Sequence, residues 1–434
     1  MTSIEQSYAP RLTSRLAILA VGLFVVATNA FVIAGLLPSI ASSFGVSADQ
    51  VSYSISYYAI VVAVAAPAIS ILLPRLSRTT LMATGTALVA VGTVIAAAAP
   101  GLEVFTAGRL VAAFGGAALV PAATAAAAAL APVERRGRAI AFVAVGFTAA
   151  SAFGAPLGTA LATVGGWRMP LFALAGLAVL VSVAIVFFVR NVPLGHPVAV
   201  RRRFATLADP RILLTLAAAL LVFCGFNAVY IFSSAVTSQA TGDIGSLLAV
   251  LLLVFGVSGV IGNVLAGRLV DRFGSRVMTA VALLLQLAAL AALPLVAGSL
   301  VGTAILFALW GASANASTLP LQHRLIEIDP ATSGIALSWF STAMYAGIAL
   351  APPLGATAFG LGGGELVPEV AAGALLLALV VFQVGWLWKR RPAGAAPVGS
   401  VPAGSASAGS VPAGSAVASG PATGSIPEVA ATRS

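Results

Sequence analysis

Eleven long apolar stretches of this chain carry no Asp, Glu, Lys or Arg: 16–48, 50–74, 79–102, 110–133, 139–167, 169–189, 212–242, 244–267, 277–323, 330–364 and 370–388. A helix needs roughly 20 apolar residues to cross the hydrocarbon core, and each stretch supplies about that or more. Apolarity is continuous within them, whereas a transmembrane β-barrel alternates lipid-facing and lumen-facing residues, so helices are expected. The stretch 277–323 is too long for one span and is interrupted from Leu293-Pro294 to Gly298-Ser299, so it reads as two. The expected fold class is an all-α polytopic membrane protein with twelve transmembrane helices.

The few charges then orient the chain. Charged residues make up 8% of it, against about 25% in ordinary soluble domains. With the N-terminus inside, 20 of the 22 basic residues fall on the cytoplasmic side: Arg11, Arg15, Arg75, Arg78, Arg135, Arg136, Arg138, Arg190, Arg201, Arg202, Arg203, Arg211, Arg268, Arg272, Arg276, Arg324, Lys389, Arg390, Arg391 and Arg433. Lys and Arg accumulate on that side of membrane proteins, so both termini are expected in the cytoplasm. Arg168 lies in an outer loop, and Arg109 lies inside a span. The net charge of +10 is therefore a topological signal and implies no nucleic-acid partner. No signal-peptide cleavage pattern precedes the first span, which is expected to be retained.

Residues 191–210 form a polar connector, with His196 and the Arg201-Arg202-Arg203 triplet read as an anchor at the lipid head groups. Residues 392–434 are mostly Pro, Gly, Ala, Ser and Val with a repeated S-V-P-A-G-S-A, the composition of a disordered cytoplasmic tail. The connector divides the spans into an N-terminal half, 1–190, and a C-terminal half, 211–391. The halves repeat weakly. At an offset of 197, Arg75 falls on Arg272, Gly137 on Gly334 and Pro156-Leu157-Gly158 on Pro353-Leu354-Gly355; Asn29 pairs with Asn227 at an offset of 198. Parallel six-helix halves place a substrate site near the midplane where they meet.

Gly146–Arg168 is the most distinctive of the runs. Pro156 lacks an amide hydrogen, so a kink or local unwinding is expected there. Ser151, Ala155, Gly158 and Ala162 fall on one helical face, which would let another backbone approach closely. Arg109 sits a few residues into its span, where an unpaired cation costs about 2.5–3.5 kcal/mol. It is expected either to face the bundle interior with a partner or to snorkel outward. No carboxylate lies deep in any span: Glu5, Asp49, Glu103, Glu134, Asp209, Asp243, Asp271, Glu327, Asp329, Glu365, Glu369 and Glu428 are all in loops, tails or helix ends.

Several motifs carry a resemblance. F-V-I-A-G-L-L-P-S-I-A at 31–41, G-A-P-L-G (Gly154 to Gly158) with G-W-R at 166–168, G-R-L-V-D-R-F-G-S-R at 267–276, L-Q-H-R-L at 321–325 and G-I-A-L at 347–350 resemble the Major Facilitator Superfamily. The chain is similar in particular to twelve-helix drug:proton antiporters of the sugar-efflux-like and chloramphenicol-efflux-like branch. The resemblance implies two pseudo-symmetric halves, alternating access and export of a small amphipathic compound against protons. For Gly267, Asp271, Arg272, Gly274 and Arg276 it implies a gate, in which Asp271 latches onto a neighbouring helix end, with the helix start near Gly137 a suitable target. The first-half copy reads S-I-L-L-P-R-L-S-R-T at 70–79, keeping Arg75 and Arg78 but with Pro74 in place of the acid. Gly154, Pro156, Gly158 and Pro353 are expected to serve as hinges. The resemblance also implies a role for Arg109 in proton transfer or substrate contact. Relatives often carry an acid in the first span where this chain has Asn29 and Ala30.

The expected lining is weakly polar and aromatic. Asn29, Asn227, Tyr230, Gln286, Asn315 and Tyr345 offer hydrogen bonds, and Phe31, Phe147, Phe226, Trp310, Trp339 and Phe340 offer walls. Such a lining suits neutral or amphipathic molecules, and Arg109 favours anionic or carbonyl-bearing ones. Enzyme chemistry is not expected. His196 and His323 lie at loops, and the single Cys224 excludes an internal disulfide and a Cys-based metal site. No cofactor or metal is expected. The expected partners are a small-molecule substrate, protons and the bilayer of a bacterial inner membrane, for a monomeric protein. An uncoupled facilitator or uptake permease, and a transport-inactive sensor or scaffold, are the alternative readings.

Overall fold

Where each helix starts is written in a few polar residues. Ser47 accepts from the Gln50 amide while the Gln50 side chain accepts from the Ser47 amide, a reciprocal cap that opens the second helix. Ser77, Asp209 and Ser299 cap three others through their side-chain oxygens. The computed structural model describes residues 3–73, 76–132, 135–193 and 200–388.

In chain order, α1 spans Ser3–Phe44, α2 Ala48–Leu72, α3 Arg78–Ala97, α4 Leu102–Leu130, α5 Arg136–Gly165, α6 Arg168–Phe188 and α7 Pro210–Ile231. The helix Gly245–Ala292 is broken at Gly274, whose φ of 79° is open to a residue without a Cβ, and divides into α8 (245–273) and α9 (275–292). A 3-10 turn at Leu293–Val296 separates α9 from α10, Leu300–Ile328. The helix Ser333–Leu387 is likewise broken at Gly362 and Gly363, giving α11 (333–361) and α12 (364–387). These are the twelve expected spans, and the described residues contain no strand. A short connector helix, Val200–Ala205, precedes α7.

Inside lipid, helices are held by close packing rather than by exclusion of water, so small residues mark the contacts. At the α3–α4 crossing, a Cβ on Gly92 would meet the Gly108 carbonyl and the Ala112 backbone. Gly146 of α5 lies against the Ala20 carbonyl of α1, and Gly154 and Gly158 lie against Thr28 and Val32 of the same helix. The small-residue surface of α5 is thus wider than expected. One flank, Gly146-Gly154-Gly158, receives α1, and another, at Ala152, receives Gly256 of α8. The backbone of α5 stays helical through Pro156, so the expected unwinding does not occur.

Contacts between the first six helices and the last six run chiefly through α5 with the α8–α9 helix and α2 with the α11–α12 helix. On the second, the Ser56 hydroxyl of α2 donates to the Ala349 carbonyl of α11 at 2.7 Å. The two ends of the bundle differ in charge. At one, Arg78 donates to the Ala125 carbonyl, Arg276 to Gln383, Arg203 to Ser70, and Arg324 lies 3.9 Å from the Trp386 ring centre. At the other, Phe44, Phe105 and Trp167 pack edge to face, and Arg168 donates to the Ala99 carbonyl.

Candidate functional site

Arg109 is the eighth residue of α4, about 10 Å from the helix start at 1.5 Å per residue. Its side chain is only 2% exposed, which excludes outward snorkelling in this structure. One guanidinium nitrogen, Nη1, donates to both the Asn29 backbone carbonyl and Asn29 Oδ1, the latter at 3.0 Å. Asn29 Nδ2 donates to Thr93 Oγ1 at 2.6 Å, and Thr93 in turn donates to the Val89 carbonyl. The Tyr58 ring of α2 covers the cation at 4.6 Å from its centre. Four helices therefore converge on one charge. Hydrogen bonds to a charged group contribute about 1.5–3 kcal/mol each, and a desolvated cation–π contact about 2 kcal/mol, enough to offset the insertion cost. Asn29 holds the position where the resemblance places an acid, so an amide is the counterpart of the buried cation.

Tyr58 separates Arg109 from the space between the helices. Its hydroxyl lies beside Gly116 of α4, 3.1 Å from where a Cβ would stand. Beyond it is a small gap of about 20 Å³, bounded by Phe31, Ile55, Tyr58, Asn227, Tyr230 and Tyr345. The Tyr58 and Tyr230 hydroxyls are buried without a partner among the described residues, and Asn227 donates to its own helix at Phe223. Phe31 packs edge to face on both Phe147 and Tyr230, which ties α1, α5 and α7 together. Toward the arginine-rich end, the interior widens into a cleft of about 510 Å³ between α2, α4 and α11. Its walls are small and apolar, with Ser70, Thr124, Ser338, Ser341, Thr342 and Tyr345 as the polar groups. No charged side chain lines it. Ser70, Thr124, Ser341 and Thr342 already donate to carbonyls of their own helices, so the surface presents mainly hydroxyl oxygens as acceptors to a molecule of modest polarity, and no counter-ion to a cation.

The expected site residues separate into two sets. Arg109, Asn29, Asn227, Tyr230 and Tyr345 are brought to one centre. Asn315 is not; its amide donates to Gly311 on its own helix and packs on Gly259 of α8. Trp310 is fully buried among Phe226, Phe255 and Phe307, and Gln286 is fully buried outside the cavities described above. Trp339 lies at the arginine-rich end, where its indole N–H donates to the Arg203 carbonyl. Tyr58 was not among the sequence-level candidates. Tyr53, Tyr57 and Tyr58 sit in one apolar run, and periodicity alone does not single out the one that is 2% exposed.

The residues of 267–276 expected to form a gate occupy the α8–α9 junction. Gly274 makes the turn; Gly267 meets only Leu319 at an ordinary distance, so it makes no close backbone approach. That role falls to Gly256 and Gly262. Asp271 is exposed and is engaged in none of the ion pairs found among the described residues, and Gly137 has open space around it, so the expected latch is not formed in this conformation. Arg272 lies over the Phe273 ring and Arg276 bonds Gln383. Next to them Ser275 donates to Glu327, which also pairs with His323 at 3.0 Å. Arg75, Pro74, Glu134, His196 and the tail 392–434 lie outside the described residues.

Comparison with known proteins gives one answer at two levels. The sequence profile of the Major Facilitator Superfamily matches residues 19–352. The chain is 31% identical to the inner membrane transport protein YdhP of Escherichia coli K12, over 86% of this chain and 96% of that one. It is also 31% identical to a chloramphenicol resistance protein of Streptomyces lividans, over 88% and 97%. The uncharacterized MFS-type transporter YbcL of Bacillus subtilis is 29% identical over 79% and 88%. In fold, the chain is similar to the nucleoside transporter NupG, with a TM-score of 0.71 at 13% identity over 86% of this chain and 100% of that one. It is also similar to an inward-facing bacterial homologue of the lysosomal transporter Spinster, with a TM-score of 0.66 at 17% identity over 87% and 95%.

Proposed function

The chain belongs to the Major Facilitator Superfamily, and on that premise we propose that it exports a small amphipathic compound across the bacterial inner membrane by alternating access. It is a multi-pass membrane transporter and not an enzyme. The halves 1–190 and 211–391, joined by the connector 191–210, rock about the centre built by Arg109, Asn29, Tyr58, Tyr230, Asn227 and Tyr345. The observation that carries this reading is the buried Arg109, held by α1 and covered by α2, beside a gap and a cleft lined by hydroxyls and apolar groups. A buried charge of this kind is costly for a passive scaffold and marks a working site in a membrane protein. Export as the direction is supported by similarity to a chloramphenicol resistance protein, and drugs of that size and modest polarity match the uncharged cleft.

Exchange against protons is the coupling we favour, with the protein working as a monomer and both termini in the cytoplasm. One observation supports a second reading. The partner of Arg109 is an amide, which does not titrate, so facilitation without coupling also fits this centre. Cells expressing the protein should accumulate less chloramphenicol than control cells, and a protonophore should abolish the difference. A difference that survives the protonophore assigns the protein to facilitation; equal accumulation in expressing and control cells for chloramphenicol and a panel of neutral amphipaths removes the export reading.

A further inference from the structure

The connector helix covers a groove that the central site does not use. Arg203 Nη1 donates to Ser70 Oγ of α2 at 2.8 Å, the Arg203 carbonyl accepts from Trp339 of α11 at 3.0 Å, and the Phe204 ring packs edge to face on Trp339 at 5.4 Å. The groove beneath holds about 50 Å³, with Pro67, Ile71 and Ile335 as its apolar floor. It shares Pro67, Ser338 and Thr342 with the large cleft, so the two spaces adjoin. Phe204 is 56% exposed, an aromatic ring held at the mouth with one face free. Arg203 enters none of the ion pairs found among the described residues. From this groove through the cleft to the central gap, no lining residue is Asp or Glu, and the charges at the two ends of the route, Arg203 and the Arg109 behind Tyr58, are both positive.

We propose that this groove is a second binding subsite, which takes the anionic or strongly accepting head of an amphipathic molecule and bars lipophilic cations, with Arg203 as its specificity-determining residue. The head bonds guanidinium N–H groups that Ser70 leaves free, and the apolar body lies on Trp339, Phe204 and Ile71. Two like charges along a route of low dielectric raise the energy of a cation and lower that of an anion, which sets the sign of the selectivity. The subsite deepens the transporter reading and rests on it for its biological role; its occupancy does not.

The test uses the full chain in phosphatidylcholine nanodiscs and two dyes that share one fluorophore, dansylglycine (a carboxylate) and dansylcadaverine (an amine), with empty nanodiscs subtracted. Dansylglycine should bind at least about tenfold more tightly, the scale of one charge-assisted hydrogen bond, and Arg203→Ala should remove about that factor. Trp339→Phe should cut energy transfer from tryptophan to the bound dye. Should Arg203→Ala lower the melting temperature, Arg203→Gln, which keeps a donor for Ser70 without the charge, reads the same effect. Equal or tighter binding of dansylcadaverine, dansylglycine affinity unchanged in a folded Arg203 variant, or unchanged energy transfer in Trp339→Phe would each overturn the proposal. Arg203-dependent binding without flux in proteoliposomes would leave the subsite and remove the transport reading; flux without Arg203-dependent binding would do the reverse.

Discussion

At the scale of single residues, the molecule turns on how one cation is kept in hydrocarbon. Arg109 has its Nη1 fully occupied by Asn29, while Nε and Nη2 have no partner among the described residues. Arg109→Ala should abolish transport while leaving membrane levels normal, because alanine fits the buried space without a charge to satisfy; a flux assay beside an immunoblot checks both halves. Asn29→Ala should be worse for stability than for a surface site, by about 1–3 kcal/mol, since it strips Oδ1 from a buried charge. A melting temperature unchanged from wild type would contradict that. Asn29→Asp replaces the amide by a carboxylate beside the guanidinium and should make transport depend on pH, read as a new inflection in the flux–pH profile. Arg109 and Asn29 could be singled out in the sequence by a charge and an amide within apolar runs. Their pairing could not, because 80 residues separate them and only the packing of α4 on α1 brings them together.

At the scale of helices, glycine positions decide which pairs approach. Gly256 faces the Ala152 backbone so closely that any side chain must push α5 and α8 apart. Gly256→Val should therefore reduce folded protein or stop flux, whereas Ser56→Ala, which removes one α2–α11 hydrogen bond, should cost only about 0.6 kcal/mol and leave flux near wild type. Fluorescence-detection chromatography and flux on the two variants separate the effects. The proline in α5 was legible as a special feature of the helix, but its consequence was not. A missing amide donor predicts unwinding, yet the backbone stays helical through Pro156, with α1 packed on one flank and α8 on the other.

At the scale of the whole molecule, the arginine-rich end should face the cytoplasm. Cys224 is buried, so single introduced cysteines report sidedness. Asp243→Cys should react with a membrane-impermeant maleimide in intact spheroplasts, and Arg201→Cys only after lysis; the opposite pattern would invert the topology. The sequence by itself determined the class, the number of spans and the breaks between them, because lipid leaves the backbone no alternative to the helix and each loop must announce itself with charge, glycine or proline. It also named most of the polar residues at the centre, since a polar group in hydrocarbon stands out. Tertiary structure alone decided which of them meet. Tyr58 rather than Tyr53 or Tyr57 covers the cation, Asn315 and Trp339 leave the centre for other contacts, and Arg203 crosses from the connector to α2. The physical reason is that within an all-apolar helix every face is equally compatible with lipid, so only packing against the neighbours selects the face that turns inward.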